Sequence, residues 1–251
     1  MIYDLTQLND ELDMLEIRLN ILDPHVDFFV IGQSTQTFSG KDKVLYFNKY
    51  EKRWDKWREK IIDVIMPRVE TDDVFERTAI QKDSLRTALK DCKPDDIIYY
   101  SDVDEIWKQP TAFGVPIFSE KVIKLSQTNY CYYLNQRSSE EWQGTNTCFY
   151  KDLVNLNDLR ANHDNVLLDG GWHFTNMGGI EKVRNKIASY DHQEMINDEV
   201  RERLEERMEN GEDYLGRSRD WQGKPFEYWI DESQLPSYII DNKTKWKHLF
   251  K

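Results

Sequence analysis

A short run of β-forming residues that ends abruptly in carboxylates constrains this fold more than any other feature. Residues 97–100 (IIYY) are followed closely by Asp102, Asp104 and Glu105. In α/β proteins, ligands bind in the crevice beyond the carboxyl ends of the strands. Residues two apart in extended backbone point the same way, so the carboxylates of Asp102 and Asp104 can reach one hard cation. We interpret Asp102-Val103-Asp104 as an Asp-x-Asp motif that holds a metal and a diphosphate; the alternative is a solvated acidic loop.

The residues before this motif alternate between strand and helix patterns. An apolar residue recurs every three or four positions from 8 to 22, between strand patterns at 2–5 and 26–31. A second helix is predicted over 72–91, whereas 61–66 fits either a strand or a helix end. This order predicts a parallel sheet in a Rossmann-like nucleotide-binding half. Since neither a P-loop nor a GxGxxG motif is present, a metal is expected to hold the phosphates.

The rest of the chain contains β-forming, glycine-rich and highly charged stretches. Residues 122–134 predict a long strand, and 169–174 (DGGWHF) predict a tight loop in which the backbone closely approaches a partner. Residues 198–209 alternate in charge and predict a solvent-exposed helix. Three aromatic anchors are predicted to pack the final segment onto the domain: Trp229, Trp246 and Phe250.

Charge and composition exclude several classes of partner. The net charge is −12, and no basic stripe is present, which argues against nucleic acid or an anionic membrane surface as the main partner. The three cysteines show no CxxC spacing and indicate a reducing compartment. Neither a signal peptide nor an apolar stretch of membrane-spanning length is recognisable. These observations predict a cytoplasmic protein without an integral membrane segment.

Four segments occur together in a specific order. They are residues 9–19 (NDELDMLEIRL), 27–47 (from DFFVI through SGK to LYF), 101–106 (SDVDEI) and 171–194 (GWHFTNMGG, then KIASYDHQE). Together they resemble glycosyltransferase family 17, the family of the β-1,4-mannosyl-glycoprotein N-acetylglucosaminyltransferases. The resemblance implies an α/β, GT-A (Rossmann-like) fold with a mainly parallel central sheet. It also implies a nucleotide-sugar donor, a divalent metal, usually Mn²⁺, and inversion at the anomeric carbon.

The resemblance also implies roles for individual residues. Asp102 and Asp104 would form the metal–diphosphate motif, and Glu16 and Arg18 would lie near the donor nucleotide. GT-A enzymes often use a late histidine as a further metal ligand. Two histidines compete for that role, His173 first and His192 second.

Other candidate donor contacts come from residue chemistry. Lys82 and Arg86 are four apart on the predicted helix, so they share a face and could offset phosphate charge, although a solvated face is the alternative. Trp172 could stack on a sugar ring of the donor or acceptor.

An inverting transfer requires a general base within hydrogen-bond reach of the acceptor hydroxyl. Asp169 is the first candidate because it opens the glycine-rich stretch. Glu194 is the second, and Glu105 is the third.

The predicted domain organisation is a GT-A-like catalytic domain over residues 1–195. Its nucleotide-binding half spans about 1–107, its acceptor half spans about 108–195, and 196–251 form a C-terminal helical extension on the same domain.

The predicted function is metal-dependent (Mn²⁺ or Mg²⁺), inverting transfer of a sugar to a glycan hydroxyl. A UDP-sugar, in particular UDP-N-acetylglucosamine, is the expected donor. The alternatives are a phosphoryl-transfer enzyme of the haloacid-dehalogenase type and a non-catalytic carbohydrate-binding protein.

Overall fold

A computed structural model of the protein describes residues 1–108, 121–162, 164–220 and 223–251. Within these ranges, strands form one mixed sheet and helices pack around it, so the predicted α/β class is confirmed. The strands are β1 (Ile2–Gln7), β2 (Phe28–Gln33), β3 (Ile61–Ile65), β4 (Ile97–Tyr100), β5 (Glu105–Trp107), β6 (Val122–Cys131), β7 (Gln136–Phe149), β8 (Val166–Leu167), β9 (Gly171–Thr175) and β10 (Tyr228–Ile230). The α-helices are α1 (Leu12–Leu22), α2 (Tyr46–Lys49), α3 (Val74–Asp83), α4 (Leu156–Ala161), α5 (Ile180–Ser189), α6 (Asp198–Asn210) and α7 (Ser237–Asp241).

The first half of the sheet is parallel, as the β-α-β order predicted. The strands β3, β2, β1 and β4 lie side by side in that order, with all three pairings parallel. The ambiguous segment at 61–66 is therefore a strand, at one end of the sheet path. Helix α1 buries Leu15, Leu19 and Leu22 in the core, as its spacing predicted. Because these strands run in parallel, β1 and β4 end at the same edge, which places Gln7 beside the Asp-x-Asp motif.

The predicted second helix is shorter than expected. Helix α3 begins after Asp73, whose side chain accepts hydrogen bonds from two backbone N–H groups of the first turn. It ends at Asp83, and a 3₁₀-helix follows over Ser84–Leu89. Since a 3₁₀-helix has three residues per turn, the four-residue spacing of Lys82 and Arg86 does not align their side chains.

The second half of the sheet is largely antiparallel. Strand β7 pairs with β4, β6 and β10 in antiparallel fashion, whereas β6 pairs in parallel with β8 and β9. Strand β5 completes the path by pairing antiparallel with β9. Most of β7 escaped prediction, because its polar sequence, QRSSEEWQGTNT, conceals the strand period.

The glycine-rich stretch is a strand, so the predicted tight loop is wrong from Gly171 onward. Residues 171–175 form β9, between β5 and β6. The expectation of close backbone approach holds, because a side chain at Gly171 would collide with the backbone of Ile106 and Trp107 in β5. Its φ of +141° also disfavours any other residue.

The segment 196–251 contributes to the sheet as well as to the helices around it. Helix α6 buries Val200, Leu204 and Met208, so it has an apolar face that its charge alternation concealed. Trp246 is 1% exposed in the central core, whereas Trp229, in β10, is 41% exposed and is no anchor. The backbone oxygen of Leu249 accepts a hydrogen bond from the N–H of Leu134, which joins the end of this segment to the turn between β6 and β7.

Candidate active site

The Asp-x-Asp turn lies at the carboxyl end of β4, and a buried arginine on α1 holds it there. The Arg18 side chain, fully buried, pairs with both carboxylate oxygens of Asp4, at 2.8 and 2.7 Å. It also donates to the backbone oxygens of Asp102 and Glu105, at 2.9 and 2.7 Å, and to the Ser101 hydroxyl at 2.7 Å. Arg18 has no exposed surface, and its predicted place near the donor nucleotide stays a prediction. Its role is to fix the backbone of the turn.

The Asp102 carboxylate is surrounded by donors and positive charge. Gln7 donates to its Oδ1, and the Arg160 guanidinium lies 3.1 Å from its Oδ2. Burial alone would raise its pKa, but the positive charges of Arg160, Lys82 and Lys186 dominate and lower it to about 2. Asp102 is therefore ionised throughout the physiological pH range.

Asp104 lies between a lysine and a histidine. Its Oδ2 accepts a hydrogen bond from Lys186 Nζ at 2.7 Å, and its Oδ1 lies 3.7 Å from His173 Nε2, too far for a hydrogen bond. Burial lowers the pKa of His173, although the charges of Asp104 and Glu105 oppose this effect. His173 is therefore a neutral imidazole near pH 7, the form that binds metals. His192, the competing candidate, instead pairs with Glu194 at 2.9 Å.

Glu105 is fully buried in an ion pair. Its two oxygens each accept a hydrogen bond from Arg160 at 2.6 Å, a bidentate arrangement. Oε1 also accepts from the Trp142 indole at 2.6 Å, and the Trp142 ring stacks on His173. There is no room for a side chain at Gly144, which lies against the same carboxylate. This geometry favours a positioning role for Glu105 over that of a base.

The other two candidate bases lie near the surface and carry cationic or imidazole partners. The Asp169 carboxylate is 65% exposed and pairs with Lys108 Nζ at 2.7 Å. Lys108 is three residues beyond Glu105, and three residues of extended backbone span about 10 Å. The partner of Asp169 therefore lies about that far along the chain from the Asp-x-Asp turn. Glu194 forms a hydrogen bond with His192, and this bond lowers the pKa of Glu194.

The candidate donor contacts are distributed over three places. Lys82 Nζ lies 5.1 Å from the centre of the Phe38 ring, and its charge reaches Asp102. Arg86 instead pairs with Asp83 at 3.3 Å, so the structure does not bring it to the site.

Glu16 and Trp172 both contact the C-terminal segment. Glu16 pairs with Arg53 at 2.5 Å and with Lys245. The Trp172 indole donates to the Gln234 backbone oxygen at 2.5 Å.

A cavity of about 240 Å³ lies beside Asp104. Its walls are the β1–α1 connection with the start of α1, the β9–α5 connection with α5, Arg53 and Leu249. Charged groups and apolar side chains share the lining. The charged residues include Asp10, Glu11, Asp13, Lys182 and Lys186. The apolar residues include Leu12, Met14, Phe174, Met177 and Leu249. Polar groups among apolar walls are typical of small-molecule sites.

The whole chain was compared with known protein families. The family model for glycosyltransferase family 17 matches residues 1–251. The chain belongs to glycosyltransferase family 17. The resemblance found in four segments of the sequence is thus confirmed, whereas a search of curated proteins gave no match. As a member of this family, the protein is a glycosyltransferase with a sugar donor and an acceptor, which argues against phosphoryl transfer.

No helix in the described ranges of this glycosyltransferase has the length and apolar character needed to cross a bilayer.

The metal that the family resemblance implies can be tested against these side chains. In the described part of this glycosyltransferase, no three histidine, cysteine or acidic side chains converge on one point. Asp104 Oδ1 and His173 Nε2 nevertheless face each other without a hydrogen bond, and His173 Nδ1 is buried without a partner among the described residues. An oxygen and a neutral imidazole nitrogen are suitable donors for Mn²⁺. Asp104 and His173 therefore fit as two protein ligands of a metal ion. Asp102, two residues before Asp104, is the other carboxylate of the motif.

Four side chains of this site escaped prediction: Gln7, Trp142, Arg160 and Lys186. Lys186 lies in a segment that carried the family resemblance, so its position there was the one available signal. Arg160 contacts Glu105 and Asp102, which lie 55 and 58 positions earlier in the chain. No local sequence pattern predicts such a distant partner.

Proposed function

We propose that this glycosyltransferase has a GT-A fold and is a metal-dependent, inverting enzyme. Its donor would be UDP-N-acetylglucosamine, and its acceptor would be a glycan hydroxyl. The observation that carries this proposal is the approach of a neutral His173 to within 3.7 Å of Asp104, in the motif at the carboxyl end of β4. Ligands of α/β proteins bind at that edge, and the adjacent cavity offers space for a sugar.

The residues that would hold the metal are Asp104 and His173, with Asp102 as the second carboxylate of the motif. When bound, a divalent cation would stabilise negative charge on the leaving diphosphate as a Lewis acid. Lys186 and Lys82 supply fixed positive charge near both carboxylates, and we propose that they also attract the diphosphate. Under this proposal, Asp102, Asp104, His173 and Lys82 keep the roles predicted for them.

In the proposed reaction, the acceptor oxygen attacks the anomeric carbon from the face opposite the diphosphate. The bond between the anomeric carbon and the diphosphate oxygen breaks, and the configuration at that carbon is inverted. The acceptor hydroxyl loses its proton to a carboxylate. Asp169, Glu194 and Glu105 stay predictions for this base, although each already has a charged or imidazole partner in the structure.

The proposal is tested by measuring the melting temperature with UDP-, GDP-, CMP- and dTDP-sugars, each with and without Mn²⁺. A ligand that binds the native state raises its stability. We expect stabilisation by UDP-N-acetylglucosamine that requires Mn²⁺, and loss of that effect in Asp104→Asn. Asp95→Asn, an exposed aspartate paired with Lys151, is the matched control.

The stereochemical part of the proposal is read from the product. NMR of the anomeric proton should show a β-linked product from the α-linked donor. An α-linked product would exclude inversion, and equal stabilisation without metal would exclude the metal requirement.

A further inference from the structure

Four carboxylates line the cavity, and three of them are paired with cations. Asp10 Oδ2 lies 2.9 Å from Lys182 Nζ, and Asp13 Oδ1 lies 2.6 Å from an Arg53 nitrogen. Asp104 pairs with Lys186, as described above. The fourth carboxylate, that of Glu11, has no cationic partner within hydrogen-bond or ion-pair distance in the described ranges. A carboxylate that lines a cavity without such a partner keeps its lone pairs available for a ligand.

The Glu11 side chain is nevertheless held in a defined orientation. Its Oε2 accepts hydrogen bonds from the backbone N–H groups of Asn9 and Asp10, at 3.1 and 3.0 Å. Both donors belong to the connection that leads into α1, and Glu11 immediately precedes that helix. Oε1 has no hydrogen bond to any described residue. One oxygen therefore anchors the group while the other can accept a proton.

The charges around Glu11 favour its protonated form. Burial raises its pKa, the negative charges of Asp10 and Asp104 raise it further, and Lys186 opposes them. Lys43 also faces Glu11 electrostatically, and its own pKa is lowered to about 8 by burial. A carboxylate with a raised pKa is a stronger base at neutral pH than an ordinary glutamate.

We propose that Glu11 is the general base of the transfer reaction, an inference that rests on the function proposed above. Its Oε1 takes the proton of the acceptor hydroxyl while the acceptor oxygen forms the bond to the anomeric carbon. The bond between that carbon and the diphosphate oxygen breaks, and its electron pair leaves with the diphosphate. The products are the glycoside, the nucleoside diphosphate and protonated Glu11, which then releases the proton to water.

The test compares Glu11→Gln with wild type in steady-state transfer from UDP-N-acetylglucosamine, with binding of the donor followed by calorimetry. Glutamine has the same shape and can still accept the two backbone hydrogen bonds. We expect kcat to fall about 100-fold or more, with unchanged donor affinity and melting temperature. Glu181→Gln, an exposed glutamate on α5 paired with Arg184, is the matched control and should transfer like wild type.

A pH profile provides the readout that a structural role would not change. In wild type, kcat/KM should decline on the acid side with an apparent pKa above that of an ordinary glutamate, and Glu11→Gln should lose this decline. Transfer by Glu11→Gln within about threefold of wild type would overturn the assignment. So would a change confined to KM, which would make Glu11 a binding residue. If wild-type protein transferred sugar from none of the nucleotide sugars, the proposed function and this inference would both be overturned. Either of the two Glu11→Gln results above would overturn only the role of Glu11 and leave the proposed function intact.

Discussion

The Trp142 indole and the His173 imidazole are stacked, with ring centres 4.5 Å apart and ring planes inclined by 21°. The indole is oriented by its hydrogen bond to the buried Glu105 carboxylate, which Arg160 holds from the other side. A continuous set of contacts therefore leads from a buried ion pair to the imidazole beside Asp104. We infer that these contacts orient His173 together with the pairing of β9 and β5.

Trp142→Phe tests this dependence, because phenylalanine retains an aromatic face but cannot donate to Glu105. A hydrogen bond to a charged group contributes about 1.5–3 kcal/mol, so the free energy of unfolding should fall by about that amount. We also expect weaker Mn²⁺ binding, measured by electron paramagnetic resonance. Trp229→Phe, at an exposed tryptophan in β10, should change neither quantity. Unaltered Mn²⁺ affinity in Trp142→Phe would show that the stacking does not position His173.

Arg160 neutralises two carboxylates, and its removal should be costly. Arg160→Met leaves Glu105 buried without a counter-ion, for which a loss of about 3–5 kcal/mol in the free energy of unfolding is expected. Arg160→Lys should recover only part of this loss, since an ammonium cannot form the bidentate pair. Urea denaturation measures both variants. If Arg160→Lys matched wild type, the bidentate geometry would be irrelevant to stability.

The ionisation of Asp102 predicts a pH dependence of stability. Its pKa is lowered from 3.8 to about 2 in the folded protein. Because folding lowers the pKa, the ionised group stabilises the fold above about pH 4, and this contribution is lost as the pH falls through about 2. The free energy of unfolding of Asp102→Asn should therefore depend less steeply on pH in this window. Asp95→Asn should keep the wild-type slope, and equal slopes in all three proteins would contradict the prediction.

Lys186 holds Oδ2 of Asp104, whereas the proposed metal site uses Oδ1 of the same carboxylate. The lysine and the metal would therefore share one negative charge and should compete for it. We expect Lys186→Met to bind Mn²⁺ more tightly than wild type in the absence of nucleotide, and to bind UDP more weakly in its presence. Isothermal titration calorimetry measures both affinities. Lys182→Met is a matched control on the same helix, because Lys182 pairs with Asp10 instead. Weaker Mn²⁺ binding by Lys186→Met would indicate that the lysine supports the metal site.

Local sequence patterns predicted the parallel half of the sheet well. Strands β1, β2 and β4 and helix α1 each have an apolar pattern of the correct period, and the acidic motif follows directly from where β4 ends. Strand β7 was missed because its alternation is between polar residues, many of them buried by other strands. Likewise, Gly171 was predicted to lie in a loop, whereas it lies in β9, and the absence of a side chain there allows β9 to approach β5.

The site was predictable only where its residues are neighbours in the chain. Asp102 and Asp104 were predicted as a pair from their spacing, whereas the complete burial of Arg18 beneath the motif was not predicted. Its partners come from β1, the Asp-x-Asp turn and β5, and no local pattern encodes this combination. Arg86 was placed on the Lys82 face by assuming an α-helix, and the change to 3₁₀ geometry at Ser84 separates them.

The position of Leu249 in the cavity wall has a consequence for biosynthesis. The Asp-x-Asp motif and the β1–α1 and β9–α5 connections around it precede residue 195, yet the cavity wall beside them is incomplete until Leu249 is in place. During translation, the nascent chain would therefore present an open, partly apolar cleft to chaperones until residue 249 has left the ribosome. A chain that ends before Trp246 would contain the Asp-x-Asp motif but lack the part of the cavity wall that Leu249 provides.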